Sequence, residues 1–205
     1  GGTVLMLVKF IAPSVLDGND PVLVCVVAAA AIAYFSLYFT HGFSLMTTVA
    51  LAGTLIALGL TLGISWIFFE LAKFSGYSSE EAFVLPFLAE SLDVRGLLLG
   101  GTIIAALGAL DDVTVTQAAT VLELSARNNE LSTRQLMISG LRVGREHIAS
   151  TVNTLLLAYA GSSIPLLLLF AVSEQSLGDV ANSELIAIEL VRTLCGSIGL
   201  VAALP

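Results

Sequence analysis

Charged residues are scarce in this chain, and basic ones are scarcest. Asp, Glu, Lys and Arg make up 12% of the 205 residues, whereas soluble domains carry roughly 25%. Hydrophobic residues make up 57%, and the mean hydropathy is +0.96. Too little polar surface is present to cover a water-soluble globule. With eight Lys and Arg and a net charge of −8, the chain also has no basic surface for a nucleic-acid partner.

Motifs of catalysis, metal binding and disulfide formation are missing as well. Cys25 and Cys195 each lie inside an apolar stretch and form no CxxC pair, so we expect packing residues and no metal site. No nucleotide-binding loop, HExxH or GxSxG occurs. An intramembrane aspartyl protease needs carboxylates on two helices, and Glu146, close to arginines, is a poor partner for Asp112. The sequence therefore predicts no enzyme and no cofactor.

Long apolar stretches are what the chain does contain. They are continuous and not alternating, which favours helices over barrel strands, because lipid leaves no water to satisfy an open backbone. The sequence predicts an all-α fold, a polytopic transmembrane helix bundle of about six spans in a lipid bilayer, with residues 1–205 as one domain. The predicted spans are 3–16, 21–39, 46–71, 97–116, 148–172 and 185–204.

Two stretches are less regular than the others. Residues 3–16 are short for a span of about 20 residues, so we expect this sequence to be a fragment of a longer protein. The connector 73–95 has an apolar body behind Glu80 and Glu81. It fits either a short interfacial helix or a plain loop.

Basic residues predict the orientation of the bundle. Arg127, Arg134, Arg142 and Arg145 lie in the connector 127–145 or at its edge. The positive-inside rule places that connector in the cytoplasm. The connectors that would then lie outside are acidic or poor in lysine and arginine. The sequence therefore predicts a multi-pass protein of the plasma membrane.

Small residues recur at four-residue spacing. Helices in lipid associate through close backbone contact, so such pairs predict packing seams, with gating hinges as the alternative. The pairs are Gly59 with Gly63, Gly96 with Gly100, and Gly140 with Gly144.

A polar stripe interrupts the fourth stretch. Asp111 and Asp112 follow a long apolar run, and Asp112, Thr116 and Glu123 fall within about 40° of one another on a helix. A charge at the bilayer centre costs roughly 2.5–3.5 kcal/mol, so such residues usually face a cavity or a partner. Alternatively, the helix leaves the membrane near Asp111 and this face is wet.

The next helix carries a second polar stripe. Arg142, Glu146, Ser150 and Asn153 share a face, and Arg145 lies one turn from Arg142. We expect the two stripes to meet inside the bundle. Arg145 or Arg142 would then neutralise Asp112, either in a functional site or only to lock the helices together.

The two histidines lie near the predicted membrane boundaries. His41 and His147 have no clustered ligands in the sequence. They are therefore predicted to be interfacial or capping residues and not metal ligands.

A set of features from residue 97 onward forms a specific pattern: residues 101–109, Asp112, Glu123, the run Gly144-Arg145-Glu146, residues 151–163, Glu189, Arg192 and residues 196–199. This pattern resembles the YibE/F family of bacterial membrane proteins. Two positions depart from the family pattern: Asp111 replaces an apolar residue, and Glu146 stands where Asp is common. The resemblance implies a bacterial permease that has an extracytoplasmic domain and further spans before Gly1. It supplies no reaction and no solute.

Two functions are consistent with these features. One is a permease that moves an ion or small solute along a path lined by Asp112, Thr116, Arg145, Glu146 and Asn153. The other is a non-transporting membrane subunit whose polar residues only fix helix packing. Other membrane subunits or further copies of the chain are the expected protein partners.

Overall fold

All regular structure in the described residues is helical. The computed structural model describes residues 2–77, 80–88, 92–128, 130–172 and 177–204, and within them the predicted all-α fold is confirmed. The elements are α1 (Gly2–Met6), a π-helical segment (Leu7–Ile11), α2 (Ala12–Leu16), α3 (Pro21–His41), α4 (Leu45–Ala72), α5 (Glu80–Leu88), α6 (Val94–Arg127), α7 (Thr133–Ser162), α8 (Ile164–Val172), α9 (Leu177–Ala181) and α10 (Glu184–Ala202).

Four helices are long and apolar enough to cross a membrane: α3, α4, α6 and α10. The pair α7 and α8, bent by 49° at its break, is a fifth candidate. The first predicted span is shorter, because the apolar helix Gly2–Leu16 extends only about 22 Å at 1.5 Å per residue. A hydrocarbon core is about 30 Å thick. The described residues therefore support four or five spans, and the predicted number of about six is not confirmed.

Helix α6 continues well past its predicted end. Its 34 residues extend about 51 Å, which exceeds the thickness of the hydrocarbon core. The segment after Thr116 stays helical, and Arg127 Nε lies 2.6 Å from Glu123 Oε1 one turn away. Most of the predicted connector 127–145 is likewise the first half of α7. The two helices thus form a hairpin longer than the membrane requires.

Local side chains explain where several helices begin. The Asp20 carboxylate accepts a hydrogen bond from Leu23 N at 2.8 Å, and Asp93 caps α6 through Gly96 N at 2.9 Å. The hydroxyl of Ser44 caps α4 through Thr47 N. The connector after α4 contains α5, so its apolar body is a short helix and not a plain loop. Residues 78–79 and 89–91 of that connector lie outside the described part.

Helix α6 lies at the centre of the bundle and packs against α3, α4, α7 and α10. A Cβ added at Gly100 would lie 2.6 Å from Cys25 Sγ and 3.2 Å from Pro21 O, so only glycine permits this approach of α6 to α3. On α7, a Cβ at Gly140 would lie 2.9 Å from Val121, and one at Gly144 would lie 2.7 Å from Gln117 Oε1. All three glycines lie where two helices approach closely.

The other three predicted packing glycines behave differently. Gly59 and Gly63 have no described atom within 4 Å of an added Cβ, because α4 turns that face toward an open groove beside Trp66. No described helix of this chain packs against them, so their role in helix packing stays a prediction. A Cβ added at Gly96 would contact mainly Asp93, the residue that caps α6, so the start of the helix constrains this position.

Contacts between helices fix which helix ends lie together. Gln117 Nε2 donates to Leu204 O at 3.1 Å, which joins the middle of α6 to the end of α10. We call this side of the bundle the Gln117 end. At the opposite end, the Glu184 carboxylate accepts hydrogen bonds at 2.8 Å from Ser75 N, Gly76 N and Ser75 Oγ. Helices α3, α6 and α10 run toward the Gln117 end, and α4 runs away from it.

The close approach of α6 to α3 can be tested at two adjacent glycines. We expect Gly100→Ala to lower the free energy of unfolding by about 1–3 kcal/mol, because the new methyl group overlaps Cys25 and the Pro21 carbonyl. Gly101→Ala is the matched control, since an added Cβ there meets nothing within 4 Å and alanine favours the helix. The measurement is thermal unfolding in detergent. Equal midpoints for both variants would contradict the packing assignment.

Candidate functional site

The predicted polar stripes do not meet inside the bundle. Helix α6 buries the face that carries Leu110, Val113 and Thr114. At about 100° per residue, its stripe lies on the opposite side. Asp111 and Thr116 are half-buried. The remaining predicted site residues are exposed: Asp112, Glu123, Arg142, Arg145, Glu146 and Asn153.

Asp112 contacts a histidine instead of an arginine. Its Oδ2 lies 3.7 Å from His147 Nε2, which is within ion-pair range but too long for a hydrogen bond. The predicted partners, Arg145 and Arg142, form no ion pair among the described residues. The orientation of α7 about its own axis explains why the observed partner of Asp112 differs from the predicted one. Gly144 packs against α6, so His147, three residues later, comes to the α6 side, whereas Arg142 points away from it.

Asp111 is the more buried of the two carboxylates. Its carboxyl group interacts with the Ser36 hydroxyl and with His41, both on α3. Its Oδ1 is buried and, among the described residues, has no hydrogen-bond partner. We define Ser36, His41, Asp111, Asp112 and His147 as the carboxylate–imidazole cluster. It joins α3, α6 and α7.

The cluster lies near one boundary of the membrane. Asp111 is about 26 Å along α6 from Val94, close to the full thickness of a hydrocarbon core. His41 is the last residue of α3, at the same end. The predicted alternative, in which α6 leaves the membrane near Asp111, is consistent with this position. Asp111 nevertheless remains partly covered by α3.

Two cavities approach the cluster from different sides. One, of about 390 Å³, lies between α1 and α3 and is lined in part by Ser36, which also contacts Asp111. The other, of about 410 Å³, lies between α4, α6 and the end of α10 and is lined in part by Thr114 and Gln117. Thr114 Oγ1 lies 3.2 Å from Asp111 O and 2.6 Å from Thr54 Oγ1. The second cavity therefore reaches α6 within one turn of Asp111, and the first approaches the cluster only through Ser36 of α3.

A column of hydroxyl groups along α4 was not predicted from the sequence. Thr47, Thr54, Thr61 and Ser65 are fully buried on one face of that helix. Their spacing of seven, seven and four residues is the signal that could have revealed them. Thr61 packs directly against Gly199 of α10, and Ser65 Oγ is buried with no hydrogen-bond partner among the described residues. These small polar side chains let the helices approach closely, as is common in membranes.

A charged pair inside α10 was noticed only as part of the family pattern. Arg192 Nη1 donates to Glu189 Oε1 at 2.7 Å, and the two side chains are 19% and 30% exposed. The Nε of Arg192 is buried and has no hydrogen-bond partner among the described residues. Charges within a predicted span usually mark functional or pairing sites. The position of both residues within the span 185–204 was the available signal.

The chemistry of the cluster is that of proton and cation binding. Carboxylates and imidazoles accept and release protons, and carboxylates bind small cations. Within the described ranges, no group of three or more His, Cys, Asp or Glu side chains is arranged to hold a metal ion.

A double-mutant cycle distinguishes the observed partner of Asp112 from the predicted one. We expect Asp112→Asn and His147→Ala to show a coupling energy of about 0.5 kcal/mol in detergent unfolding. The matched cycle with Arg145→Ala should show none, because Arg145 forms no ion pair among the described residues. Coupling to Arg145 but not to His147 would contradict the observed rotation of α7.

Comparison with known proteins gives a family but no activity. A family model described as YibE/F-like protein matches residues 1–205, the whole chain. No curated protein and no solved structure matches the chain. The segments that carry the resemblance include the α6 turn with Asp112 and the middle of α7, with Gly144, Arg145 and Glu146. The chain therefore belongs to the YibE/F-like family of proteins, and its long apolar helices make it a membrane protein.

Proposed function

We propose that this chain is the membrane-embedded part of a permease that moves a proton, or a small cation, through the carboxylate–imidazole cluster. The observation that carries the proposal is the buried Oδ1 of Asp111, which has no hydrogen-bond partner among the described residues. An unsatisfied buried acceptor of this kind costs roughly 1–3 kcal/mol, or more when it is charged. A bound proton or cation would remove that cost.

The surroundings of Asp111 support a transient ligand. Ser36 and His41 supply neutral or protonatable partners on one side, and Asp112 with His147 supplies a second acid and base on the other. Groups of this type can exchange a proton in short steps without a large change in helix packing. This site replaces the path first predicted from the sequence. Arg145, Glu146 and Asn153 now lie outside it.

The two cavities give the proposed site its access to water. Both lie toward the Gln117 end of the bundle, as the cluster does, so ions would enter or leave the site at this end. In the proposed orientation this end faces the bacterial cytoplasm, because it carries the basic residues of the connector 127–145. The membrane would then be the inner membrane of the cell.

A second candidate function is a non-transporting subunit that assembles a membrane complex. It is favoured by the buried hydroxyls of Thr54, Thr61 and Thr102, each of which donates to a carbonyl of its own helix. Such hydroxyls need no water or solute for their hydrogen bonds, which is typical of dry packing seams. The polar stripe on the outer face of α7 is also consistent with assembly. Under this alternative, the cluster only links helices.

Flux through reconstituted protein distinguishes the two functions. We expect proteoliposomes with a pH-sensitive dye inside, or with a panel of monovalent and divalent cations, to show flux above that of empty liposomes. Asp111→Asn should reduce flux to background, and Ser36→Ala should reduce it in part, because both change the direct surroundings of Oδ1.

The control for this experiment is Glu130→Gln, which removes an exposed charge in the short loop between α6 and α7. It should leave flux unchanged. All variants must first elute with the wild-type profile in detergent, so that loss of flux is not loss of fold. No flux of any ion in the wild type, or equal flux in Asp111→Asn, would favour the assembly subunit.

A further inference from the structure

The most unusual surface of the molecule is the outer face of α7. Arg142, Glu146 and Asn153 lie within about 40° of one another on this helix, and all three are exposed. The opposite face carries Gly140 and Gly144, which pack against α6 and the end of α10. The stripe therefore points directly away from the bundle.

Lipid cannot satisfy the polar side chains of this stripe. Arg142 and Glu146 lie near the membrane boundary, but Asn153 is farther along α7, in the apolar half that forms the fifth candidate span. Among the described residues, none of the three side chains has an ion pair or a side-chain hydrogen bond. An amide exposed to hydrocarbon is costly, so such residues are usually covered by another helix.

The composition of the stripe indicates what covers it. It carries a cation, an anion and an amide that both donates and accepts hydrogen bonds. Two copies related by a two-fold axis along the membrane normal place equal heights of α7 side by side. Asn153 then meets Asn153 of the second copy. Arg142 of each copy lies one turn from Glu146 of the other, so the charged pair forms twice.

Small residues on the same face permit close approach. Ala149 lies between Glu146 and Asn153, and Ala160 follows on the same side; both are exposed. Alanine at such positions lets two helix backbones approach within packing distance in lipid. The face therefore combines self-complementary charge with the shape that a helix pair requires.

We propose that the chain forms a homodimer through the outer face of α7, with Arg142, Glu146 and Asn153 at the interface. The partner is a second copy of this chain, because the stripe is complementary to itself. This inference does not depend on transport through the carboxylate–imidazole cluster. It is tested by oligomeric state and not by flux.

The first test is disulfide cross-linking in native membranes. Asn153→Cys and Ala149→Cys should give a covalent dimer on oxidation, several-fold more than Thr154→Cys and Val143→Cys, which are exposed on the flanks of α7. The wild type is the blank, because both of its cysteines are buried. Equal cross-linking at all four positions, or none, would overturn the proposal. Cross-linking of Asn153→Cys only to a different polypeptide would also overturn it, in favour of a heteromeric complex.

The second test is charge reversal. Glu146→Arg should weaken dimerisation by roughly tenfold, measured as a dissociation constant in detergent or lipid by single-molecule counting or ultracentrifugation. Arg142→Glu in the same chain should restore most of the affinity, because the ion pair forms again with the acid and the base exchanged. Glu130→Arg is the matched control, since it makes the same acid-to-base change off the stripe. A double variant as weak as Glu146→Arg alone would contradict the proposed pairing.

Discussion

The close approach of α6 to its neighbours is the contact on which the rest of the structure depends. In lipid there is no hydrophobic force between helices, so they associate only where the backbones come near enough for dense packing and interhelical hydrogen bonds. Gly100 provides that approach toward α3, and Thr114 forms the hydrogen bond to Thr54 of α4. Gln117 then joins α6 to the end of α10. The other helices are positioned around these contacts.

This central packing explains where the charges lie. Because the face of α6 that meets α4 is made of apolar and hydroxyl side chains, it has no room for a carboxylate. Asp111 and Asp112 are therefore displaced to the flank of the helix, where Asp111 is half covered by α3 and Asp112 is mostly open. The packed face between α4 and α6 is lined by apolar and hydroxyl side chains, and the carboxylate–imidazole cluster lies toward the Gln117 end. A cluster in that position exchanges ions with water more readily than one at the centre.

Local features of the fold could be predicted from the sequence, and relations between helices could not. The turn before Pro21 and the continuous apolar runs gave helices close to the observed ones, since caps and hydropathy act within a few residues. Gly59 and Gly63 have the same spacing as Gly140 and Gly144, yet only the second pair packs. The spacing carries no information on which face of a helix finds a neighbour. For the same reason Asp112 was assigned to Arg145, although His147 lies opposite it.

One physical rule accounts for the different positions of the polar groups. A polar side chain in lipid must be satisfied within its own helix, by a neighbouring helix, or by something that is not part of the chain. Thr54 and Thr61 of α4 follow the first course, and Arg192 pairs with Glu189 within α10. Asp112 follows the second, through its ion pair of 3.7 Å with His147. Asp111 and the outer stripe of α7 are left for the third course. The buried Asp111 carboxylate therefore suggests a small ligand. The stripe is self-complementary and therefore suggests another copy of the protein.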